Sequence, residues 1–265
     1  MKKTYRGTLL NYILANPTGN ITALVTSEVA ASERQNVVKE IFETEPSCEQ
    51  VGFVDVTGRT TIKLEMMGGE FCGNATLCAA AYLAKTNELF DAEHNDDLLG
   101  ARDDEKVEIS VTVDSSGADK PVEVKLTQIA EDCYEGTLEM PMPVMEDTVV
   151  HLDGISHMII PADEISREEA EASVKGYAED FNALAFGEIL YSDDNENAVS
   201  IEPLVYVKGS DTMVWENGCA SGSIAAACYK HWTSGATQIN VFNPGGIIKI
   251  NIEEEKLYLT GGIQL

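Results

Sequence analysis

Residues 68–85 read GGEFCGNATLCAAAYLAK, and residues 215–232 read WENGCASGSIAAACYKHW. Each stretch holds a cysteine (Cys72, Cys219) flanked by Gly and by Asn or Ser, then runs on in alanines to a tyrosine (Tyr82, Tyr229). Alanine is the strongest helix former, so the pattern predicts helices from about Gly73 to Lys85 and over 220–233, each with a cysteine at its start. Both are apolar nearly all round, which predicts burial inside a curled sheet rather than on a surface.

Outward from these helices the chain reads mainly as strands. Thr8–Ala15 and Ile21–Thr26 alternate in the strand manner around NPTGN (16–20). Residues 32–44 carry Val37, Val38, Ile41 and Phe42 at helical spacing, with Ser32 as the expected N-cap. Strands are predicted at Gln50–Asp55 and Thr60–Met66. The acidic passage Asn87–Lys106 reads as an exposed loop before a strand at Val107–Val113. Further strands are expected at Val122–Thr127, Glu135–Met140, Ser156–Ile160, Leu184–Tyr191 and Val199–Val207. Residues 166–181 read as a helix opened by a capping box, Ser166 with Glu169. The end of the chain reads as short strands joined by Gly turns. The polar stretch DSSGADKP (114–121) is the candidate boundary, giving half-domains 1–118 with Cys72 and 119–265 with Cys219, the last strands being free to return to the first. The class is α+β with an internal pseudo-duplication: two halves of one plan, each a curled, mostly antiparallel sheet around a central helix.

The bulk numbers narrow the function. A chain of 265 residues with 18 basic and 45 acidic side chains, net charge −27, is repelled by phosphate, which argues against nucleic acid. A solvated surface is the plain account of that acidity; electrostatic steering of a cationic substrate is the weaker one. No apolar run approaches the ~20 residues of a membrane span. The start, MKKTYRGTLLNYILANP, is broken by Arg6, Gly7 and Asn11, so no secretory leader is expected. Six cysteines (48, 72, 78, 133, 219, 228) show no CxxC pair and no zinc-like cluster. Reduced thiols, a cytoplasmic setting and no metal are the expectation.

A thiol does chemistry as a thiolate. Its ordinary value of about 8.5 falls at a helix N-terminus, where the dipole and free N–H groups favour the anion. The same N–H groups, opened by Gly73 and Ala220, can hold a carboxylate. Two such thiols on opposite faces of one carbon can remove a proton from one side and return one to the other, exchanging roles with the hand of the substrate. No Gly-rich phosphate loop and no Schiff-base lysine is visible, so no cofactor is expected. Cysteine is also a common core residue: Cys78 and Cys228, deep in their helices, read as core, and Cys48 and Cys133 as structural. The matched pair at helix starts does not.

CGNA (72–75) and GCASG (218–222), with NPTGN (16–20), CEQVGF (48–53), GISHMII (154–160) and NPGG (243–246) in order, resemble the cofactor-independent amino-acid racemases and epimerases of the diaminopimelate epimerase superfamily. Within it, GGEFCGNAT and VWENGCASGS make the chain most similar to the histidine racemases of staphylopine-type metallophore biosynthesis. The resemblance implies catalytic Cys72 and Cys219. It places Asn20, Gln50, Gly73 and Asn74 along the substrate in the first half, and Ser156, His157, Glu216, Asn217, Ala220 and Ser221 near it in the second. Asn20 also reads as a turn residue and His157 as a satisfied core histidine; Gln50 and Glu216 adjoin matched motifs.

The implied reaction is inversion of an amino acid at Cα, histidine first, with a small-molecule amino acid as the partner and a homodimer as the family's assembly. Diaminopimelate epimerase (LL to meso) is the enzyme alternative. Its Glu-Arg clamp is replaced here by Ser210 and Asp211, and the Arg after its first motif by Leu77, which disfavours that substrate. The alternative of another class is a non-catalytic amino-acid-binding protein on the same scaffold, which would need neither thiol.

Overall fold

The computed structural model describes residues 2–5, 8–91, 107–181, 184–209 and 211–265. The expected acidic loop is therefore covered only as far as Asp91, and Ser210 lies outside the described residues. In chain order the elements are β1 (Lys2–Tyr5), β2 (Thr8–Pro17), β3 (Thr22–Val25), α1 (Arg34–Thr44), β4 (Gln50–Val56), β5 (Thr61–Met66), α2 (Gly73–Thr86), β6 (Glu108–Ser115), β7 (Val122–Ala130) and β8 (Cys133–Met140). There follow β9 (Val144–Glu146), β10 (Val149–Leu152), β11 (Ile155–Pro161), α3 (Arg167–Asp180), β12 (Ala185–Asn195), β13 (Ala198–Val207), β14 (Thr212–Trp215), α4 (Ala220–Ser234), β15 (Gln238–Asn243), β16 (Gly246–Glu253) and β17 (Lys256–Gln264).

Two compact units result: Met1–Leu138 with Gly261–Leu265, and Glu139–Thr260. The stretch 114–121, where composition suggests a boundary, is the connection of an antiparallel hairpin inside the first unit, with Val113 opposite Val122. Its polarity has a local use. The Ser116 backbone N–H donates to the Leu64 carbonyl, its hydroxyl to the Glu70 carbonyl, and the Met66 N–H donates back to that hydroxyl. Gly117, at φ +71°, lies so close to the Glu70–Phe71 backbone that a Cβ would collide with it. The turn is a strut under the residues that lead into Cys72.

In the first unit the strands close on themselves in the order β2–β3–β4–β5–β6–β7–β8–β17–β2. The β3–β4 and β5–β6 pairs are parallel, so this eight-stranded ring is mixed. The last residues complete it: Ile263 pairs with Pro17, and the Leu265 N–H donates to the Asp132 carbonyl. α2 touches β2, β3, β4, β5, β6 and β7, and residues 73–81 of it are all buried. Small side chains make that possible. Leu77 fills the space beside Gly136, where an added Cβ would lie 2.8 Å from it. α1, by contrast, buries only Val37 and Ile41, as its polar sequence requires. The expected Ser32 cap is not formed: a 3₁₀ turn over Ala31–Glu33 precedes α1, and Glu33 is the N-cap without a side-chain bond. The backbone turn takes the place that the side-chain cap would have filled.

The second unit is also mixed, with β11–β12 and β13–β15 parallel among antiparallel neighbours. α4 contacts β10, β11, β12, β13, β15 and β16 and buries Ile224, Ala225, Ala226, Ala227 and Cys228 together. It ends at Gly235, whose left-handed φ of 78° lets its N–H reach the His231 carbonyl. α3 begins with the expected capping box of Ser166 and Glu169. It buries only the stripe Ala170, Val174 and Ala178 against Phe186, Leu190 and Leu204. Among the described residues, no helix is long and apolar enough to cross a membrane.

Candidate active site

Each buried helix starts on its cysteine. Cys72 is the N-cap of α2 with extended backbone (φ −133°, ψ 112°), and Cys219 the N-cap of α4 (φ −100°, ψ 109°). In both, the sulfur accepts an N–H of the first turn, from Ala75 at 3.5 Å and from Gly222 at 3.1 Å. All six cysteines are free thiols.

In the first unit, Gln50 stands at the start of β4 and its Oε1 lies 3.0 Å from the Cys72 Sγ, placed to accept the thiol hydrogen. The Gln50 carbonyl in turn accepts from the Cys48 thiol at 3.1 Å. Thr76 holds the Cys72 carbonyl from both its N–H and its hydroxyl. Gly73 and Asn74 are buried at the helix mouth. Asn20 is buried as well, which a plain turn residue need not be. Its Nδ2 donates to Glu49 Oε2 at 2.7 Å, and its Oδ1 is buried without a partner. The fold thus brings Gln50 onto Cys72 and anchors Asn20 on the neighbour of Gln50.

In the second unit, Cys219 is only 3% exposed. Burial raises its thiol well above the usual cysteine range, helped by the charge of the hydrogen-bonded Glu216 carboxylate; the Ser221 hydroxyl and Gly222 N–H pull the other way and lose. The sequence expectation of a helix-activated thiolate is therefore corrected at this site: the helix N–H is present, but dehydration and a neighbouring anion outweigh it. Cys219 rests as a thiol. Ser221 Oγ lies 3.5 Å from its sulfur and 2.8 Å from His157 Nε2. His157 is fully buried, and burial alone drives its imidazole down to about 3, so the ring is neutral. Ala220 is buried beside Cys219, and Asn217 is exposed.

Ser156 does not join this group. Successive strand residues face opposite ways; with His157 turned to α4, Ser156 turns away and its hydroxyl meets His151 Nδ1 at 2.9 Å. Three residues outside the expected set hold the site. Asn243 Oδ1 accepts the Cys219 N–H at 3.0 Å while its Nδ2 donates to Ser223 Oγ, and the Gly245 N–H donates to the Asn217 carbonyl at 2.7 Å. The signal was present in the NPGG motif, whose turn clamps the approach to Cys219 from two sides. Gly187 is the third: a Cβ there would strike the His157 ring. Among the described residues, no group of three or more His, Cys, Asp or Glu side chains could hold a metal.

The chain is similar to known proteins over almost its whole length. A protein from Fusobacterium nucleatum subsp. nucleatum described as histidine racemase is 29% identical over 262 residues, covering 97% of this chain and 95% of that one. A Staphylococcus aureus protein of the same description is 26% identical over 244 residues, covering 89% and 85%. Among solved structures, the Bacillus anthracis phenazine biosynthesis protein of the PhzF family superposes with a TM-score of 0.63 at 14% identity, with 96% of each chain covered. A putative PhzC/PhzF protein from Clostridium difficile gives 0.59 at 12%, again with 96% of each covered. These structures share the fold. The family model described as the histidine racemase CntK N-terminal domain matches residues 9–261, and the chain belongs to that family.

Proposed function

We propose that this chain inverts an amino acid at Cα, with histidine as substrate, by proton transfer through Cys72 and Cys219 and without a cofactor. One observation carries the reading: in a chain of the histidine racemase family, each unit opens its buried central helix on a cysteine N-cap. The finer architecture we assign is the diaminopimelate epimerase-like one, two half-domains each supplying one sulfur.

A two-base reaction starts with one sulfur ionised and the other protonated. Cys219, sealed and beside Glu216, suits the protonated partner at rest. Cys72 as thiolate then takes the Cα proton of the hand of substrate that faces it, and the Cys219 thiol delivers its hydrogen to the opposite face. The sulfurs finish with their states exchanged, ready for the other hand. The substrate carboxylate gains from N–H groups at Gly73, Asn74, Ala220 and Ser221, since helix N-termini favour anions. Gln50 and Asn20 supply polar contacts in the first unit, and Glu216 suits the ammonium or imidazole.

The diaminopimelate alternative finds no support. Asp211, where a clamp would stand, is an exposed side chain committed to Lys175 Nζ at 2.6 Å and Tyr206 OH at 3.1 Å. Leu77 is apolar core. Six free thiols favour a cytoplasmic setting, and a homodimer, which sedimentation would read, completes the family reading.

The test is incubation with L-histidine in deuterium oxide with no added cofactor. D-Histidine carrying deuterium at Cα is expected, and Cys72→Ser and Cys219→Ser should each abolish interconversion. Absence of Cα exchange across a panel of amino acids overturns the racemase reading. Exchange confined to diaminopimelate overturns the substrate assignment.

A further inference from the structure

His157 sits one residue removed from the chemistry. Its ring is completely buried on β11, opposite Gly187 in the parallel β11–β12 register, and that glycine leaves the ring its space. Nε2 lies 2.8 Å from Ser221 Oγ, while Nδ1 is buried without any hydrogen-bond partner. A neutral imidazole carries one N–H. A proton on Nδ1 would be a buried donor with no acceptor, the costlier kind of orphan. A proton on Nε2 is used at once by the serine oxygen. The Nε2–H tautomer is therefore the one this site stabilises.

Direction then propagates. With its oxygen accepting from His157, the Ser221 hydroxyl has its own hydrogen to give, and Cys219 Sγ is 3.5 Å away. The Gly222 N–H reaches the same sulfur at 3.1 Å. Two donors converge on an atom that dehydration and the Glu216 carboxylate otherwise hold as a thiol.

We propose that His157 is a positioning residue: as a fully buried Nε2–H donor, it turns the Ser221 hydroxyl toward Cys219 and so supports the thiolate that forms when Cys219 gives up its hydrogen. The proposal deepens the two-thiol reading and rests on it for its purpose, but its physical content is measured without substrate. The chain from His157 to sulfur passes no proton and needs none, because the imidazole keeps one charge state through the working range. Glu216 is the charged group acting on the sulfur, and it opposes the relay.

Two measurements test it. In ¹⁵N-histidine-labelled wild-type protein, the His157 resonances, assigned by their loss in His157→Gln, should report the neutral Nε2–H tautomer from pH 5 to pH 9. A protonated ring within that range, or the Nδ1–H tautomer, overturns the proposal. Second, the pH dependence of Cys219 alkylation by iodoacetamide is read by peptide mass spectrometry in folded variants. Ser221→Ala and His157→Leu should each slow alkylation at pH 8 about tenfold, as when the thiolate fraction falls by that factor. The double variant should be no slower than either single one, and His157→Gln, whose amide can donate, should restore most of the rate. Unchanged alkylation in Ser221→Ala, or additive losses in the double variant, overturns the relay. A relay that stands while no amino acid exchanges its Cα hydrogen would fault the racemase reading alone.

Discussion

The Gln50 side-chain oxygen lies 3.0 Å from the Cys72 sulfur, and β4 begins at Gln50 so that this contact is set by the sheet rather than by the helix. An acceptor at that distance favours the thiol, and the amide must present its N–H₂ edge when the thiolate forms. Gln50→Glu removes that option and adds a negative charge. We expect kcat/KM for histidine to fall at least about tenfold, with the rate rising toward higher pH than in wild type, read from a pH–rate profile.

Glu216 acts on Cys219 in the same sense. Its carboxylate raises the thiol, second only to burial. Glu216→Gln should therefore lower the pH at which the thiolate appears, and Cys219 alkylation at pH 8 should rise about tenfold. Slower alkylation in that variant would mean that Glu216 serves as a base toward the thiol instead.

Glu188, on β12, is a buried carboxyl outside these proposed roles. The Ser173 hydroxyl donates to its Oε1 at 2.7 Å, Oε2 has no partner, and burial raises it to about 7. A carboxyl raised on folding stabilises the protein while protonated. That contribution is complete below the ordinary value of 4.5 and is lost as pH rises through about 7. Wild-type stability should fall by about 1–2 kcal/mol between pH 5 and pH 8 relative to Glu188→Gln, allowing for relaxation around the carboxyl. Urea titrations at the two pH values measure the difference.

Gly117 supports the residues ahead of Cys72 through a positive φ and a contact too close for a side chain. Gly117→Ala should cost about 1–3 kcal/mol and lower activity by shifting Glu70 and Phe71. Thermal unfolding together with kcat measures both. Unchanged stability would show that the turn moves aside freely.

Much of this was legible along the chain. The two Ala-rich helices, the thiols at their starts, and the Ser166–Glu169 capping box depend on residues within a few positions of one another, and they stand as the local pattern predicts. The polar stretch 114–121 misled because the turn of a hairpin and a linker between domains share a composition; only the partners of Ser116 and Gly117 separate them. Ser156 and His157 are adjacent in a matched motif, but the strand pleat sends them to opposite faces.

What the sequence by itself determined is where the helices begin and which atoms stand at their mouths, because capping, propensity and periodicity are short-range effects. Tertiary structure alone decided that the last strand closes the first unit against β2, that Asn243 steadies Cys219, and that Cys219 rests protonated. The reason is common to all three: strand closure, a long-range hydrogen bond and the dehydration of a sulfur depend on groups far away in the chain, whose approach no local pattern encodes.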